Sequence, residues 1–320
     1  MTANATDSAT EGLLSSRLVM VTGKGGTGKT TFAAALAVLA AARGRRTLLC
    51  EIDNQRPSMT AIFGKAPRNA PQKVRDGLDV CNIEWEPALE SFLEALVPSR
   101  RIVKLILGNQ IVSRFLDFTP GSQELVELSA LAHHIEQYDT VIVDMPASGH
   151  AFSLLDITRS AMGLFRSGPV RRRAAELREL LVAPSTRVVF VALPEEMVVN
   201  ETLETLQRMR SFELIGGEPV VYLNRATLPT LTDDERGVIA KLTDLALSPA
   251  QEEFVRAGRW EDVLEQGTAL SQQRLSDGVT IDPVLVGPAP PGGSGRDVVL
   301  DVAATLGRGV GLTRRDLTWT

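Results

Sequence analysis

One stretch of eight residues limits what this chain can fold into: Gly23-Lys24-Gly25-Gly26-Thr27-Gly28-Lys29-Thr30, which fits G-x-x-x-x-G-K-[ST]. An apolar, β-branched run, Leu18 to Thr22, precedes it, and an alanine-rich helical stretch, Thr30 to Arg43, follows. In that context the glycines let the backbone curl so that successive N–H groups converge on phosphate oxygens. The helix N-terminus behind them adds a favourable partial charge. Lys29 is expected at the β/γ oxygens of a nucleotide, and the Thr30 hydroxyl at one Mg2+ position. The competing reading is a glycine-rich turn that holds no ligand; the strand before it and the helix after it argue for the phosphate site.

The alternation of strand and helix continues. Short apolar runs recur at Thr47 to Ile52, Leu78 to Ile83, Thr140 to Val143, Arg187 to Ala192, Pro219 to Leu223 and Ile281 to Val286. They are continuous rather than alternating, as in strands buried on both faces. Helical stretches such as Gln123 to Gln137 and Glu195 to Arg210 lie between them. The expected class is α/β, a mostly parallel sheet with helices on both faces. Two helical intervals without a convincing strand, about 85–118 and 157–182, predict an inserted helical subdomain. The domain plan is a flexible tail over 1–16 and a main domain over 17–286. A Pro/Gly linker over 287–295 and a C-terminal helix and tail over 296–320 complete it.

Composition removes several classes. With 44% apolar and 23% charged residues in 320, the chain is neither disordered nor fibrous. Its longest apolar run, Phe32 to Ala42, falls short of the ~18 residues that suggest a membrane span. A net charge of -5 supplies no global positive field, so nucleic acid is not an expected partner. Met1 to Ser16 lacks the basic-then-apolar order of a signal peptide, and a cytoplasmic location is expected.

Lys24 sharpens the reading, because a second lysine after the first glycine is not needed to make the loop. With it, the sequence resembles the deviant P-loop ATPases, whose members include partition proteins, nitrogenase iron protein and ArsA-like ATPases. That resemblance implies contacts to ATP from Gly23, Lys24, Gly25, Gly26, Thr27, Gly28, Lys29, Thr30 and Thr31, with Lys24 reaching across a homodimer interface. Tyr138-Asp139-Thr140-Val141-Ile142-Val143-Asp144 is a buried strand ending in a carboxylate, placed to hold Mg2+ through water. The following Met145-Pro146-Ala147-Ser148-Gly149-His150 is similar to the ArsA-like switch D-T-A-P-T-G-H. Its Gly-His ending separates ArsA-like members from partition proteins, and Pro120-Gly121-Ser122-Gln123-Glu124 resembles their P-G-x-x-E segment. The likeness covers roughly 17–64 and 119–225, and the C-terminal third shares only the strand-helix pattern.

Further roles follow from the resemblance. Asp53, after the second strand, stands where the superfamily orients the attacking water, although a strand-end Asp also caps turns. The segment Asp53-Asn54-Gln55 departs from the family's D-P-A. Gly149 is placed to bring a backbone N–H to the γ-phosphate, and His150 is read as a hydrogen-bonding or packing residue of the switch. Asn224, ending the strand Val220 to Leu223, is placed to hydrogen-bond adenine, or else simply ends a strand in a turn. The chain lacks N-K-x-D, which favours ATP over GTP.

Two outputs remain open. One is energy coupling to a hydrophobic client or membrane-protein partner; the other is a positional switch of the ParA/MinD kind. Only six lysines and no convincing amphipathic anchor in Gly307 to Thr320 favour the first. Arg171-Arg172-Arg173 opens a basic amphipathic stretch that suits a membrane surface or a solvated helix face, and His133-His134 has no metal-spaced partner. The two cysteines, Cys50 and Cys81, lie in different strands, and a shared soft-metal site would require them to converge without a third thiol. Stimulation by arsenite or antimonite is therefore not expected.

Overall fold

The continuous apolar runs are the strands of one sheet. A computed structural model describes residues 3–52, 58–97, 99–109, 119, 121–243, 245, 247–279 and 284–319. Its eight strands are β1 (Leu18–Thr22), β2 (Thr47–Ile52), β3 (Gln72–Arg75), β4 (Leu78–Ile83), β5 (Thr140–Asp144), β6 (Thr186–Ala192), β7 (Val220–Ala226) and β8 (Leu285–Pro288). Their order across the sheet is β3-β4-β2-β5-β1-β6-β7-β8. Every neighbouring pair is parallel except β3 and β4. The expected α/β class is borne out.

Successive residues of a strand face opposite sides, which explains why these runs do not alternate with polar residues. Leu18, Met20, Val141, Val143, Val188 and Phe190 enter one hydrophobic layer. Val19, Val21, Ile142, Val189 and Val191 enter the other. In the second layer α2 (Lys29–Ala42) lies against the sheet, with every residue from Phe32 to Ala41 buried. Its alanines let the helix approach closely. Beside it packs the C-terminal helix α12 (Gly295–Gly307), through Val299, Val302, Ala303 and Leu306.

The first layer holds α4 (Trp85–Leu96), α5 (Arg100–Gly108), α6 (Ser122–Ile135), α7 (Ser148–Leu164), α8 (Pro169–Leu181) and α9 (Glu196–Ser211). The two intervals read as a helical subdomain supply α4, α5, α8 and the last eight residues of α7. Among the described residues they share one hydrophobic cluster with the sheet; residues 110–118 lie outside the described residues. Between β7 and β8 stand α10 (Asp233–Leu242) and the 31-residue α11 (Pro249–Val279).

Two expectations change, and two short elements are new. Residues 1–16, read as a flexible tail, contain helix α1 (Ala3–Ser15), anchored by buried Leu13 and Leu14 in the α2 layer. Two apolar residues near its end hold a helix whose start is small and polar. The last strand runs from Leu285 into Gly287 and Pro288, residues assigned to the linker, while 281–283 lie outside the described residues. The short antiparallel β3 and a helical turn α3 (Met59–Phe63) had no clear signal.

Candidate active site

The sheet positions the phosphate loop. The chain leaves β1 for β2 on one side and later fills β6 on the other, so β1 flanks the point where the strand order reverses. In open α/β sheets ligands bind at the carboxyl ends of strands at such a point. The loop from Gly23 to Gly28 springs from that end of β1 and delivers the chain into α2.

Two glycines are required by geometry. Gly23 has φ +145, and an added Cβ would lie 2.2 Å from the Val191 carbonyl oxygen. Gly28, at φ +97, caps α2, and a Cβ there would stand 2.5 Å from Asn224 Nδ2. Around Gly25 and Gly26 there is open space and both are exposed, where a ligand's oxygens would approach. The Thr27 hydroxyl is buried and donates to the Lys24 carbonyl at 2.9 Å, and the Lys29 ammonium donates to the same carbonyl at 3.2 Å. Thr31 stands half-buried in the first turn of α2.

The Thr30 hydroxyl donates to Asp144 Oδ2 at 2.5 Å, joining the start of α2 to the end of β5. Asp144 Oδ1 is buried with no hydrogen-bond partner among the described residues. Burial pushes this carboxyl up to about 6, against the opposing pull of the Thr30 hydroxyl and the Lys29 ammonium. Burial likewise draws Lys29 below its usual range, opposed by Asp144 and Glu201. A hydroxyl beside an under-satisfied carboxylate is an all-oxygen donor set, which suits Mg2+ with its retained waters. Thr30 and Asp144 are therefore the residues that would hold the ion. Among the described residues no cluster of three or more His, Cys, Asp or Glu side chains offers a different metal site.

Asn224 is brought to the loop, but its side chain is already engaged. Nδ2 donates to the Thr27 carbonyl at 2.8 Å, and Oδ1 accepts from the Arg225 N–H at 2.9 Å. Arg225 adopts φ +54 within β7, where the register with β8 shifts between Leu223 and Ala226. Asn224 thus braces the phosphate loop from behind. Gly149 and His150 are exposed in the first turn of α7, where the His150 N–H donates to the Ala147 carbonyl at 3.0 Å. Asp53 lies outside the described residues.

Lys24 forms an ion pair with Glu201 of α9 at 3.8 Å, both side chains more than a third exposed. Sequence reading missed Glu201, because nothing in a helix spanning Glu196 to Ser211 marks the face that overlooks the loop. It also missed Glu51, a buried register partner of Asp144 whose Oε1 accepts from the Ser58 N–H at 2.9 Å. The two cysteines were expected to stay apart. They are register partners on β2 and β4, with sulfurs 3.1 Å apart and both fully buried. Burial and the Cys81 sulfur push the Cys50 thiol well above its ordinary value.

Residues 16–167, which include the loop, Asp144 and the α7 turn, match the family model described as anion-transporting ATPase. Over that span, just under half of its length, the chain is similar to the ArsA-like ATPase family. It is 30% identical over 222 residues to ATPase BagA of Mycobacterium tuberculosis, covering 65% of each chain. An uncharacterized protein of Streptomyces coelicolor, SCO2128, is 32% identical over 189 residues, covering 56% of this chain and 46% of its own. ATPase ASNA1 homolog 1 of Paramecium tetraurelia is 25% identical over 140 residues, covering 43% of this chain and 42% of its own. The matched region spans 65% or less of the length of these relatives. Among the described residues no helix is long and apolar enough to cross a membrane.

Proposed function

We propose that this ArsA-like chain hydrolyses Mg2+-ATP to ADP and phosphate as a nucleotide-switched homodimer, coupling the cycle to a hydrophobic client or membrane-protein partner. The observation that carries the reading is the Thr30–Asp144 pair at 2.5 Å beside Lys29, under a loop whose exposed glycines face open space. In the reaction a water oxygen bonds to the γ-phosphorus while the bond to the ADP oxygen breaks, and the water's proton passes to the phosphate. Such a reaction depends mainly on positioning and charge.

Lys29 and the α2 N-terminus hold the β/γ oxygens, and Asp53 orients the water. Thr30 and Asp144 would hold the ion, which would supply charge neutralisation at the phosphates. Gly149 reports the γ-phosphate through its N–H at the start of α7. Lys24 gives up Glu201 for the nucleotide of a second copy. Asn224 keeps a second amide hydrogen with which to meet adenine, supported by its position at the carboxyl end of β7. The expected site is cytoplasmic. The apolar pocket of about 230 Å3 between α4 and the end of α7, lined by Leu89, Phe92, Leu93, Ile157 and Leu164, supports a hydrophobic client.

Lys29→Ala tests the core of this reading. It removes a primary phosphate contact, and phosphate release from ATP should fall to background in the purified variant. Turnover near that of the parent protein would overturn the loop as the catalytic centre.

A further inference from the structure

The apolar pocket between α4 and the end of α7 has a buried end and an open end. Leu89 of α4 and Leu125 and Val126 of α6 form its buried wall. Its outer end is formed by Leu164 and Phe165, which are 74% and 39% exposed. Gly121, at φ +85, lets α6 begin close against α7, since a Cβ there would lie 2.3 Å from Ile157 Cδ1. Ile157 therefore forms the wall at that point. Among the described residues no carboxylate lines the pocket.

The open end carries positive charge. Arg171, the residue after Val170 of the lining, donates through Nη1 to the Met162 carbonyl and, at 3.3 Å, to the Phe165 carbonyl. Those bonds pin its guanidinium at the last turn of α7, beside the mouth. Both acceptors are neutral, so the charge is not cancelled. Arg166 follows Phe165 directly and is exposed. Among the described residues neither arginine forms an ion pair, whereas their neighbours Arg159 and Arg173 pair with Asp156 and Glu176.

Size narrows the occupant. The cavity of about 230 Å3 is larger than the roughly 150 Å3 that holds a benzene ring. It is smaller than one turn of a helix, since a cylinder about 10 Å across and 5.4 Å long encloses roughly 420 Å3. At roughly 30 Å3 for each water-sized group it has room for about eight of them. An unbranched chain of about eight carbons fits that space, and a helical polypeptide segment does not.

We infer that this pocket takes the chain of a medium-length fatty carboxylate, with the carboxylate at Arg166 and Arg171. The inference rests on the reading above that the pocket receives a hydrophobic client, and it names that client's chemistry. An apolar protein segment would bring side chains to the wall but no anion to the arginines. A small free anion would leave the wall unfilled. The part of the wall made by Ile157, Ala161 and Leu164 belongs to the helix whose first turn holds Gly149. A seated chain therefore bears on an element that begins at the phosphate site.

The test is calorimetric titration of the whole chain with sodium hexanoate, octanoate, decanoate and dodecanoate, each below its micelle concentration. Affinity should rise about fourfold per added methylene up to octanoate and level off beyond it, once the pocket is full. Leu164→Asp, at an exposed position, sets a like charge at the mouth and should weaken octanoate about tenfold or more. Arg166→Gln should weaken octanoate about threefold and leave 1-octanol unchanged, a split that altered packing alone would not give. Melting curves check that both variants keep the fold. Octanoate binding equal in the parent and both variants would overturn the inference, as would affinity that climbs to dodecanoate without levelling. Suppose octanoate does not bind, while a soluble leucine–alanine peptide of about twenty residues binds the parent and not the Leu164→Asp variant. That result would overturn the inference and leave the client reading standing. A parent protein that binds neither octanoate nor the peptide would overturn both.

Discussion

Replacing Asp144 by asparagine should stabilise the empty protein and disable its site. The carboxyl is pushed from its ordinary 3.8 to about 6 by burial, a cost the Thr30 hydroxyl and Lys29 only partly offset. That displacement makes the ionised side chain cost about 3 kcal/mol in the folded state. The sign follows from linkage, since the folded protein holds this proton to higher pH than the unfolded chain. The favourable protonated state is fully present below pH 3.8 and lost as pH rises through about 6. At pH 7.5 the Asp144→Asn variant escapes the charge cost and still accepts from Thr30, so its unfolding free energy should exceed the parent's by about 2 kcal/mol. At pH 4.5 the gain should shrink to a fraction of that. Urea titrations of the two proteins at both values, without nucleotide or divalent ion, measure the difference directly. Saturating Mg2+-ATP should cancel it, because ligand at a hundredfold its Kd adds about 2.7 kcal/mol to the parent and little to the variant. A variant less stable than the parent at pH 7.5, or a difference independent of pH, would refute the argument.

Other consequences are equally specific. Lys24→Ala should lower hydrolysis by about a hundredfold or more, the scale of a lost trans cation, while fluorescent-nucleotide binding to the monomer stays nearly intact. Gly28→Ala should cost about 1–3 kcal/mol in a denaturant titration, since it forces a left-handed alanine against Asn224, whereas Gly25→Ala, with open space around it, should leave the midpoint nearly unchanged. Arsenite should not stimulate hydrolysis: Cys50 and Cys81 are adjacent but sealed in the sheet with no third thiol, and a rise in turnover lost in Cys50→Ser would contradict this.

The parts of the site that were legible are those whose chemistry and place in the fold are local. The loop between β1 and α2 is written in consecutive residues, and Asp144 announces itself because a buried strand rarely ends in an acid without a use for it. What escaped depends on which strands become neighbours. The Cys50–Cys81 contact exists because β2 inserts between β4 and β5, and no spacing along the chain encodes that. The same sheet order makes Glu51 the register partner of Asp144, placing two buried carboxylates at the ends of adjacent strands. Asn224 was found at the right strand end, yet its principal contact, the brace to Thr27, spans nearly two hundred residues and became visible only with the packing.

Glu201 shows why such an omission matters for function. On the proposed homodimer reading, Lys24 must be held somewhere when the second copy is absent, and an unpaired ammonium beside Lys29 would raise the local positive charge. Glu201 meets that need at 3.8 Å, from α9, which the Arg274–Asn200 bond ties to the carboxyl half of α11. On the proposed reading, release of Lys24 toward a second copy requires the Glu201 pair to break, so Glu201→Gln should change the concentration dependence of hydrolysis and leave the monomer's nucleotide affinity nearly intact.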